Sequence, residues 1–193
     1  YLVQFSKIVD RDKTEIRMQS EWFAPFTLTN VFELTSKFTV AQFLAREDFA
    51  KRFKANQPIA ITELLYPLLQ GYDSVAVESD VEFGGTDQKF NLLVGRDMQR
   101  MMDQRPQQCL LVPILVGTDG VRRMGKSLGY YIGLNEPPND MYGKIMSLPD
   151  RSADPDPQDG DAGEGQTRST VLDYFDYLTD VPTAELAEMR GGL

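Results

Sequence analysis

The chain has 193 residues, 41% of them hydrophobic, which is enough for one sizeable core and part of a second. Its 20 basic and 29 acidic residues give a net charge of -9, so bulk electrostatics does not favour a nucleic-acid partner. The absence of histidine excludes a Ser-His-Asp triad, a Cys-His pair and a histidine-ligated metal site within these residues. The single cysteine, Cys109, excludes an intrachain disulfide and fits a reducing compartment. We expect a cytoplasmic protein, because we find neither a signal sequence nor an apolar run of roughly 18 residues.

The first third of the chain predicts short elements. Alternation of Ile16 and Met18 predicts a strand over residues 14–20, and residues 21–26 read as irregular. Helices are expected over residues 29–36, after Thr39 as a cap, and over residues 48–54.

Pro58 begins an element whose apolar residues cover much of its surface, which predicts a buried helix, partly against another subunit. Tyr66, Gln70 and Asp73 are four and three residues apart, so a continuous helix presents all three on one face. This polar stripe on an apolar helix fits either the lining of a polar ligand pocket or a chance solvated stripe.

Residues 74–100 predict an extended segment, a glycine turn and a helix. Val75, Val77, Val81 and Phe83 belong to alternating runs, Gly84-Gly85 interrupts them, and Thr86 is a suitable helix cap. Asp87 and Gln88 then lie on the first helical turn, at the carboxyl end of the strand, where open α/β sheets bind ligands.

Three interpretations of Asp87 remain open on local sequence. It complements the helix dipole, or it forms a metal site with Asp80 and Glu82, or with Gln88 it selects a small-molecule substrate. The metal site is the weaker alternative, because neither histidine nor cysteine accompanies these carboxylates.

Residues 110–116 are apolar on both faces, which predicts a buried parallel strand. The basic, glycine-containing loop that follows, from Arg123 through Met124, Gly125 and Lys126 to Ser127, is typical of a phosphate-binding segment, although it is not a Walker loop. Residues 152–170 lack apolar periodicity and predict a flexible acidic insertion. Two short helices are expected after it, over residues 171–178 and 183–189, the second capped by Thr183 and anchored by Leu186.

Three motifs in this order resemble the bacterial tyrosyl-tRNA synthetase family: residues 66–73, residues 80–96 with Gly-Gly-Thr-Asp-Gln, and Arg-Met-Gly-Lys-Ser at residues 123–127. Residues 57–61 and 143–147 fit the same family. The resemblance implies the second half of a Rossmann-type class I catalytic domain at residues 1–150, an acidic insertion at 151–170, and the start of a helical domain at 171–193.

The resemblance also implies activation of tyrosine by ATP, accompanied by Mg²⁺, followed by transfer to tRNA(Tyr) in a homodimeric enzyme. Tyr66, Gln70 and Asp73 would then hold the ammonium group of tyrosine, with Gln88 near the substrate. Gly85 and Asp87 would lie toward ATP. Among the loop residues 123–127, Lys126 and Arg123 would be catalytic, and Met124, Gly125, Lys126 and Ser127 would contact ATP.

The sequence departs from the family pattern in two ways. The His-Ile-Gly-His-type motif and the contacts to the tyrosine hydroxyl from the first half of the fold are missing, so we expect the isolated chain to be inactive. Arg123 and Gly125 stand where Lys and Ser are usual in the loop. Two alternatives remain, a tryptophanyl-type synthetase and a non-catalytic paralogue that acts as a binding module.

Overall fold

The computed structural model describes residues 2–125, 129–149 and 169–191. Its helices and strands are α1 (Leu2–Phe5), α2 (Ser20–Phe23), α3 (Leu28–Ser36), α4 (Val40–Leu44), α5 (Glu47–Lys54), α6 (Ile61–Val77), β1 (Val81–Gly85), α7 (Lys89–Met101), β2 (Gln108–Val112), α8 (Pro138–Met146), α9 (Thr170–Leu178) and α10 (Thr183–Gly191). The chain divides into two compact units. We name Glu15–Pro113 the sheet unit, and Tyr1–Thr14 together with Ile114–Leu193 the loop unit.

The sheet unit contains a parallel strand pair joined by a helix. β1 and β2 are in register from Val81 opposite Gln108 to Gly85 opposite Val112. α7 makes the crossover between them, since parallel strands cannot be joined by a tight turn. A mixed α/β fold with a small parallel sheet is therefore confirmed, as is a strand followed by a helix within residues 74–100, although the strand begins only at Val81.

The core of the sheet unit forms where α6 and α7 pack along each other beneath α3, α4 and α5. Its buried members are Leu34, Phe43, Phe49, Leu68, Val75, Val94 and Met98. Each such side chain contributes about 1.5–3 kcal/mol when it leaves water. α6 is not buried all round, because Ile61 at its start and Leu69 further along are exposed.

Two glycines allow the backbones of α6 and α7 to approach closely. A Cβ atom on Gly95 would lie 2.4 Å from Ser74 Oγ. A Cβ atom on Gly71 would lie 3.0 Å from Val94 Cγ1 and 3.2 Å from the backbone nitrogen of Gly95. A methyl group at position 95 would therefore overlap Ser74, and one at position 71 would force Val94 or the backbone of α7 to shift by a few tenths of an ångström.

Buried glutamines fix the end of α6 against α7 and β2. Gln99 Nε2 donates to the carbonyl oxygens of Ser74 and Ser79 at 3.1 and 3.0 Å. Gln99 Oε1 accepts from the backbone nitrogen of Gln107 at 2.7 Å. The Gln107 side chain in turn donates to the Glu82 carboxylate. These bonds satisfy polar groups that would be costly to bury alone.

One face of the two-stranded sheet is apolar and exposed. Phe83 lies opposite Leu110 on this face and is 69% exposed. Val81, Leu110 and Val112 on the same face are also exposed. The expectation of a strand buried on both faces over residues 110–116 is therefore wrong for this chain. β2 begins earlier than predicted and ends at Val112, before Pro113, which has no amide hydrogen for the ladder.

In the loop unit, the backbone around residues 115–124 forms a short hairpin. Val116 and Arg123 make an isolated antiparallel bridge, and the Met124 amide donates to the carbonyl oxygen of Leu115 at 2.9 Å. α9 supports this hairpin, because the Tyr174 hydroxyl donates to the carbonyl oxygen of Val116 at 2.7 Å. Burial raises the pKa of Tyr174 to about 12.

Several helix predictions are confirmed. α3 spans the predicted interval, and Thr39 caps α4 by accepting a hydrogen bond from the Gln42 amide. α5 and the two helices after residue 168 are also found, with Leu186 buried as the anchor of α10. Thr183 is the first residue of α10 rather than its cap. The predicted flexible segment lies outside the described residues as far as residue 168, but Ser169 and Thr170 already belong to the capped start of α9.

Other local predictions are wrong. Residues 14–20 form no strand, and Ile16 and Met18 are 45% and 62% exposed, so their alternation marks no buried face. The segment after Gln19 is not irregular but begins with α2. Val75 and Val77 lie in α6, because the helix continues past Asp73 to Val77.

The glycine turn also differs from its prediction. Gly84 and Gly85 are the last residues of β1 rather than an interruption of it. Thr86 makes no helix cap, since it is the first residue of a 3-10 turn that runs to Gln88, where α7 follows. Glycine at position 84 avoids crowding, because a Cβ atom there would lie 3.0 Å from the Cβ atom of Gln88 and 3.3 Å from Leu92, and these side chains would have to shift by a few tenths of an ångström.

Replacing Gly95 tests the close approach of α6 and α7. We expect Gly95→Ala to lower the free energy of unfolding by about 1–3 kcal/mol, because the new methyl group overlaps Ser74 Oγ. Urea unfolding of the chain measures this change. The matched control is Gly143→Ala in α8, where a Cβ atom meets no atom within 4 Å. The control should be neutral or stabilising by up to about 1 kcal/mol. Equal stability of both variants would contradict the packing argument.

Candidate substrate site

α6 presents the predicted polar stripe on one face of an unbroken helix. Tyr66, Gln70 and Asp73 all lie within Ile61–Val77, so the spacing argument holds. Tyr66 is 63% exposed, whereas Gln70 and Asp73 are half-buried. The stripe therefore runs from an open end at Tyr66 toward a more enclosed end at Asp73.

Asp73 is held by two residues that the sequence analysis missed. Trp22 Nε1 donates to Asp73 Oδ1 at 2.8 Å, and Gln19 Nε2 lies 3.1 and 3.0 Å from the two carboxylate oxygens. Burial raises the pKa of Asp73, while the hydrogen bonds from Gln19 and Trp22 act in the opposite direction. The carboxylate is therefore partly desolvated but oriented by two donors.

An aromatic cluster carries Trp22 to this position. Phe23 and Phe26 pack against Tyr72 of α6, with ring centroids 5.6 and 4.9 Å away. Phe23 and Phe26 also meet edge to face at 4.9 Å. Because Tyr72 and Asp73 are neighbours on α6, this packing places the Trp22 indole beside the Asp73 carboxylate.

The turn after β1 faces the middle of the stripe. Gln70 Nε2 donates to Gln88 Oε1 at 3.3 Å. Asn91, a buried residue of α7, donates from Nδ2 to Gln70 Oε1 at 3.0 Å and to Gln88 Oε1 at 3.1 Å. Gln88 Nε2 lies 3.2 Å from Asp87 Oδ2. The structure thus brings the predicted residues Gln70, Asp87 and Gln88 together and adds Asn91.

The other predicted residues lie elsewhere. Gly85 ends β1, directly before the turn that carries Asp87 and Gln88. Arg123 and Met124 belong to the hairpin of the loop unit, and Gly125 directly follows it. Lys126 and Ser127 lie outside the described residues.

The carboxylates of the alternative metal site have protein partners. Glu82 accepts from Ser74 Oγ at 2.8 Å, and Asp80 pairs with Arg105 at 3.5 Å. Across the described ranges, no group of three or more cysteine, aspartate and glutamate side chains is arranged to hold a metal ion. The same residues include no helix that is long and apolar enough to cross a membrane.

Cys109 is half-buried rather than fully buried. Its thiol lies 3.6 Å from the carbonyl oxygen of Leu92, and burial raises its pKa. The thiol is thus suppressed as a nucleophile.

Comparison with known proteins identifies the family to which this fold belongs. The family described as tRNA synthetases class I (W and Y) matches residues 1–162, so the chain belongs to this family. It is 59% identical over 190 residues to the tyrosine–tRNA ligase of Dehalococcoides mccartyi, a match that covers 98% of this chain and 43% of the relative. The tyrosine–tRNA ligase of Carboxydothermus hydrogenoformans is 51% identical over 190 residues, covering 98% of this chain and 42% of that protein.

A solved structure shows the same fold. The tyrosyl-tRNA synthetase of Archaeoglobus fulgidus, complexed with L-tyrosine, superposes with a TM-score of 0.58 at 26% identity, covering 72% of this chain and 43% of that one. The chain therefore spans less than half the length of the relatives described here.

Trp22→Phe tests whether the indole holds Asp73. Losing this donor should raise the pKa of Asp73 further, because a hydrogen bond to a carboxylate favours its charged form. Since the pKa of Asp73 in the folded state lies above the unfolded value, near 3.9, this group stabilises the fold at low pH. Its contribution is lost as the pH rises through the folded pKa. Because the folded-state pKa is higher still in Trp22→Phe, the free energy of unfolding of this variant should fall by a larger amount as the pH rises.

Carbon-13 NMR titration of the carboxyl groups measures this change. Glu63, whose pKa is about 2 because of Arg52, serves as the internal control and should not move. An unchanged pKa of Asp73 in Trp22→Phe would contradict the assigned contact.

Proposed function

We propose that this chain is part of a tyrosine–tRNA ligase, which activates tyrosine with ATP to tyrosyl-adenylate and transfers the tyrosyl group to tRNA(Tyr). The observation that carries the proposal is the stripe of Tyr66, Gln70 and Asp73, whose Gln70 is bonded to Gln88, in a chain closely similar to tyrosine–tRNA ligases. The stripe and the turn belong to one compact unit.

The proposed tyrosine contacts follow from hydrogen-bond chemistry. A carboxylate, an amide oxygen and a phenol oxygen can all accept hydrogen bonds, and Asp73, Gln70 and Tyr66 supply one of each. Tyrosine offers donors at both ends, through its ammonium group and its phenol hydroxyl. Trp22 donates a hydrogen bond to Asp73 and so orients its carboxylate to accept a donor from the substrate.

The ATP side of the proposal rests on the strand end and the basic loop. Gly85 and Asp87 lie where an α/β sheet binds its ligand, and Asp87 is adjacent to Gln88. Arg123, Met124, Gly125, Lys126 and Ser127 form the loop proposed to contact ATP, with Mg²⁺ entering as the counterion of the phosphates.

The chemistry requires charge stabilisation on the leaving group. As the tyrosine carboxylate attacks the α-phosphorus, negative charge builds on pyrophosphate. Lys126 and Arg123 would stabilise that charge as it develops, which lowers the barrier without tightening the binding of tyrosine.

We further propose the domain bounds 1–150, 151–170 and 171–193, and a homodimer in which α6 lies near the subunit interface. Support for the interface comes from three exposed apolar side chains on α6, Ile61, Leu69 and Val77. A partner subunit that covered them would remove apolar surface from water.

Tyrosine-dependent exchange of pyrophosphate into ATP tests the proposed activity in the full-length protein that carries this chain. We expect exchange with tyrosine and at least about a hundredfold less with tryptophan or phenylalanine, since a site built for a hydroxyl rejects analogues that lack it. The 193-residue chain alone should be inactive, because it spans less than half the length of its relatives. Exchange that prefers tryptophan would point to the tryptophanyl alternative, and no exchange with any amino acid would favour the binding module.

Lys126→Ala in the same protein tests the role of the loop. Adenylate formation in pre-steady-state measurements should slow by about a hundredfold, or roughly 3 kcal/mol, which is typical of one lost contact to developing charge. The affinity for tyrosine should hardly change. The matched control is Lys54→Ala on the exposed end of α5, which should leave both values unaltered. A Lys126→Ala rate within threefold of the wild type would exclude the proposed role.

A further inference from the structure

Asn91 is a buried amide that the sequence analysis did not single out. It is 6% exposed and lies on α7, one helical turn after Gln88, which faces the polar stripe. Its Nδ2 atom donates to Gln70 Oε1 and Gln88 Oε1 at once, at 3.0 and 3.1 Å. It therefore bridges two of the residues proposed to contact tyrosine.

The polarity of this amide network is set from one end. Asp87 Oδ2 lies 3.2 Å from Gln88 Nε2, and a carboxylate accepts hydrogen bonds without donating them. Gln88 must therefore turn its nitrogen toward Asp87 and its oxygen toward Asn91. Of the two amide atoms of Asn91, the nitrogen must face that oxygen, which also accepts from Gln70 Nε2, and the same nitrogen reaches the oxygen of Gln70.

Stability alone does not account for asparagine at this position. Its Oδ1 atom is buried and has no hydrogen-bond partner among the described residues. A buried acceptor without a partner is unfavourable, and an apolar side chain of similar size avoids that loss. The value of Asn91 therefore lies in its nitrogen.

We infer that Asn91 is a positioning residue, which fixes the amide orientation of Gln70 and Gln88 for recognition of the amino-acid substrate. This inference rests on the proposed function, since it assumes that these two glutamines touch the substrate. Asn91 itself acts through them. Without it, Gln70 Oε1 loses its donor and Gln88 Oε1 keeps only the longer bond from Gln70, so both amides are less firmly oriented and the substrate must bear more of the cost of ordering them.

The test compares Asn91→Leu with the wild type in the full-length protein. Leucine removes the donor and the unpaired acceptor together, so the melting temperature should be retained or raised. The KM for tyrosine should rise about tenfold or more, as is usual when a supporting contact behind a binding residue is lost. The KM for ATP should remain within about threefold, because the ligand that would move is tyrosine.

Asn91→Asp provides a second variant of unchanged shape. Its oxygens would face the oxygens of Gln70 and Gln88, so both glutamines must rotate or lose their bonds. The KM for tyrosine should rise in this variant as well. The matched control is Asn139→Asp, the same substitution at an exposed position of α8, and it should leave the KM unchanged.

A double-mutant cycle separates positioning from a general structural effect. In a Gln70→Ala, Gln88→Ala background, Asn91→Asp should have no further effect on the KM for tyrosine, because the residues through which it acts are gone. A full additional increase in that background would overturn the inference. So would an unchanged KM in both single variants of Asn91.

The outcomes also distinguish this inference from the proposed function. If Gln70→Ala alone leaves the KM for tyrosine unchanged, the proposed substrate site is wrong. If Gln70→Ala raises the KM and the Asn91 variants do not, the site stands and only the positioning role is wrong.

Discussion

The close approach of α6 to α7 is the constraint on which the substrate site depends. Gly71 and Gly95 remove the side chains that would separate the two helices, and Ser74 Oγ occupies the space beside Gly95. At this spacing Gln70 on α6 is within hydrogen-bond reach of Asn91 on α7 and of Gln88 in the turn before it. A wider separation would move the amides of Gln88 and Asn91 away from the polar stripe. The geometry of the site therefore depends on the packing of the core.

Desolvation and orientation act together at the enclosed end of the stripe. Burial alone would favour the protonated form of Asp73, but Trp22 and Gln19 donate to its oxygens and favour the charged form. The aromatic packing of Phe23 and Phe26 on Tyr72 holds the indole in place. A carboxylate oriented in this way is ready to accept a donor from a ligand with little rearrangement, which is the property a recognition site needs.

The sequence predicted the features that are local. Thr39 caps its helix, and Asp87 and Gln88 fall on the turn after β1, because capping and the spacing of helical residues depend on a few neighbouring positions. Trp22 could not be predicted as a partner of Asp73, since the two are separated by 51 residues and the segment around Trp22 shows no periodicity. Asn91 was missed because its role depends on Gln70, which is 21 residues earlier and on a different helix. The alternation at residues 14–20 led to a wrong prediction of a strand, because Ile16 and Met18 are both exposed and do not mark a buried face.

A crystal structure of the full-length protein with tyrosine bound would show whether α6 and the turn after β1 form the tyrosine site. Oxygens of Gln70 and Asp73 should accept hydrogen bonds from tyrosine within the usual distance of about 2.5–3.2 Å, with Asn91 still bonded to Gln70. Tyrosine bound away from α6, with Gln70 and Asp73 untouched, would contradict it.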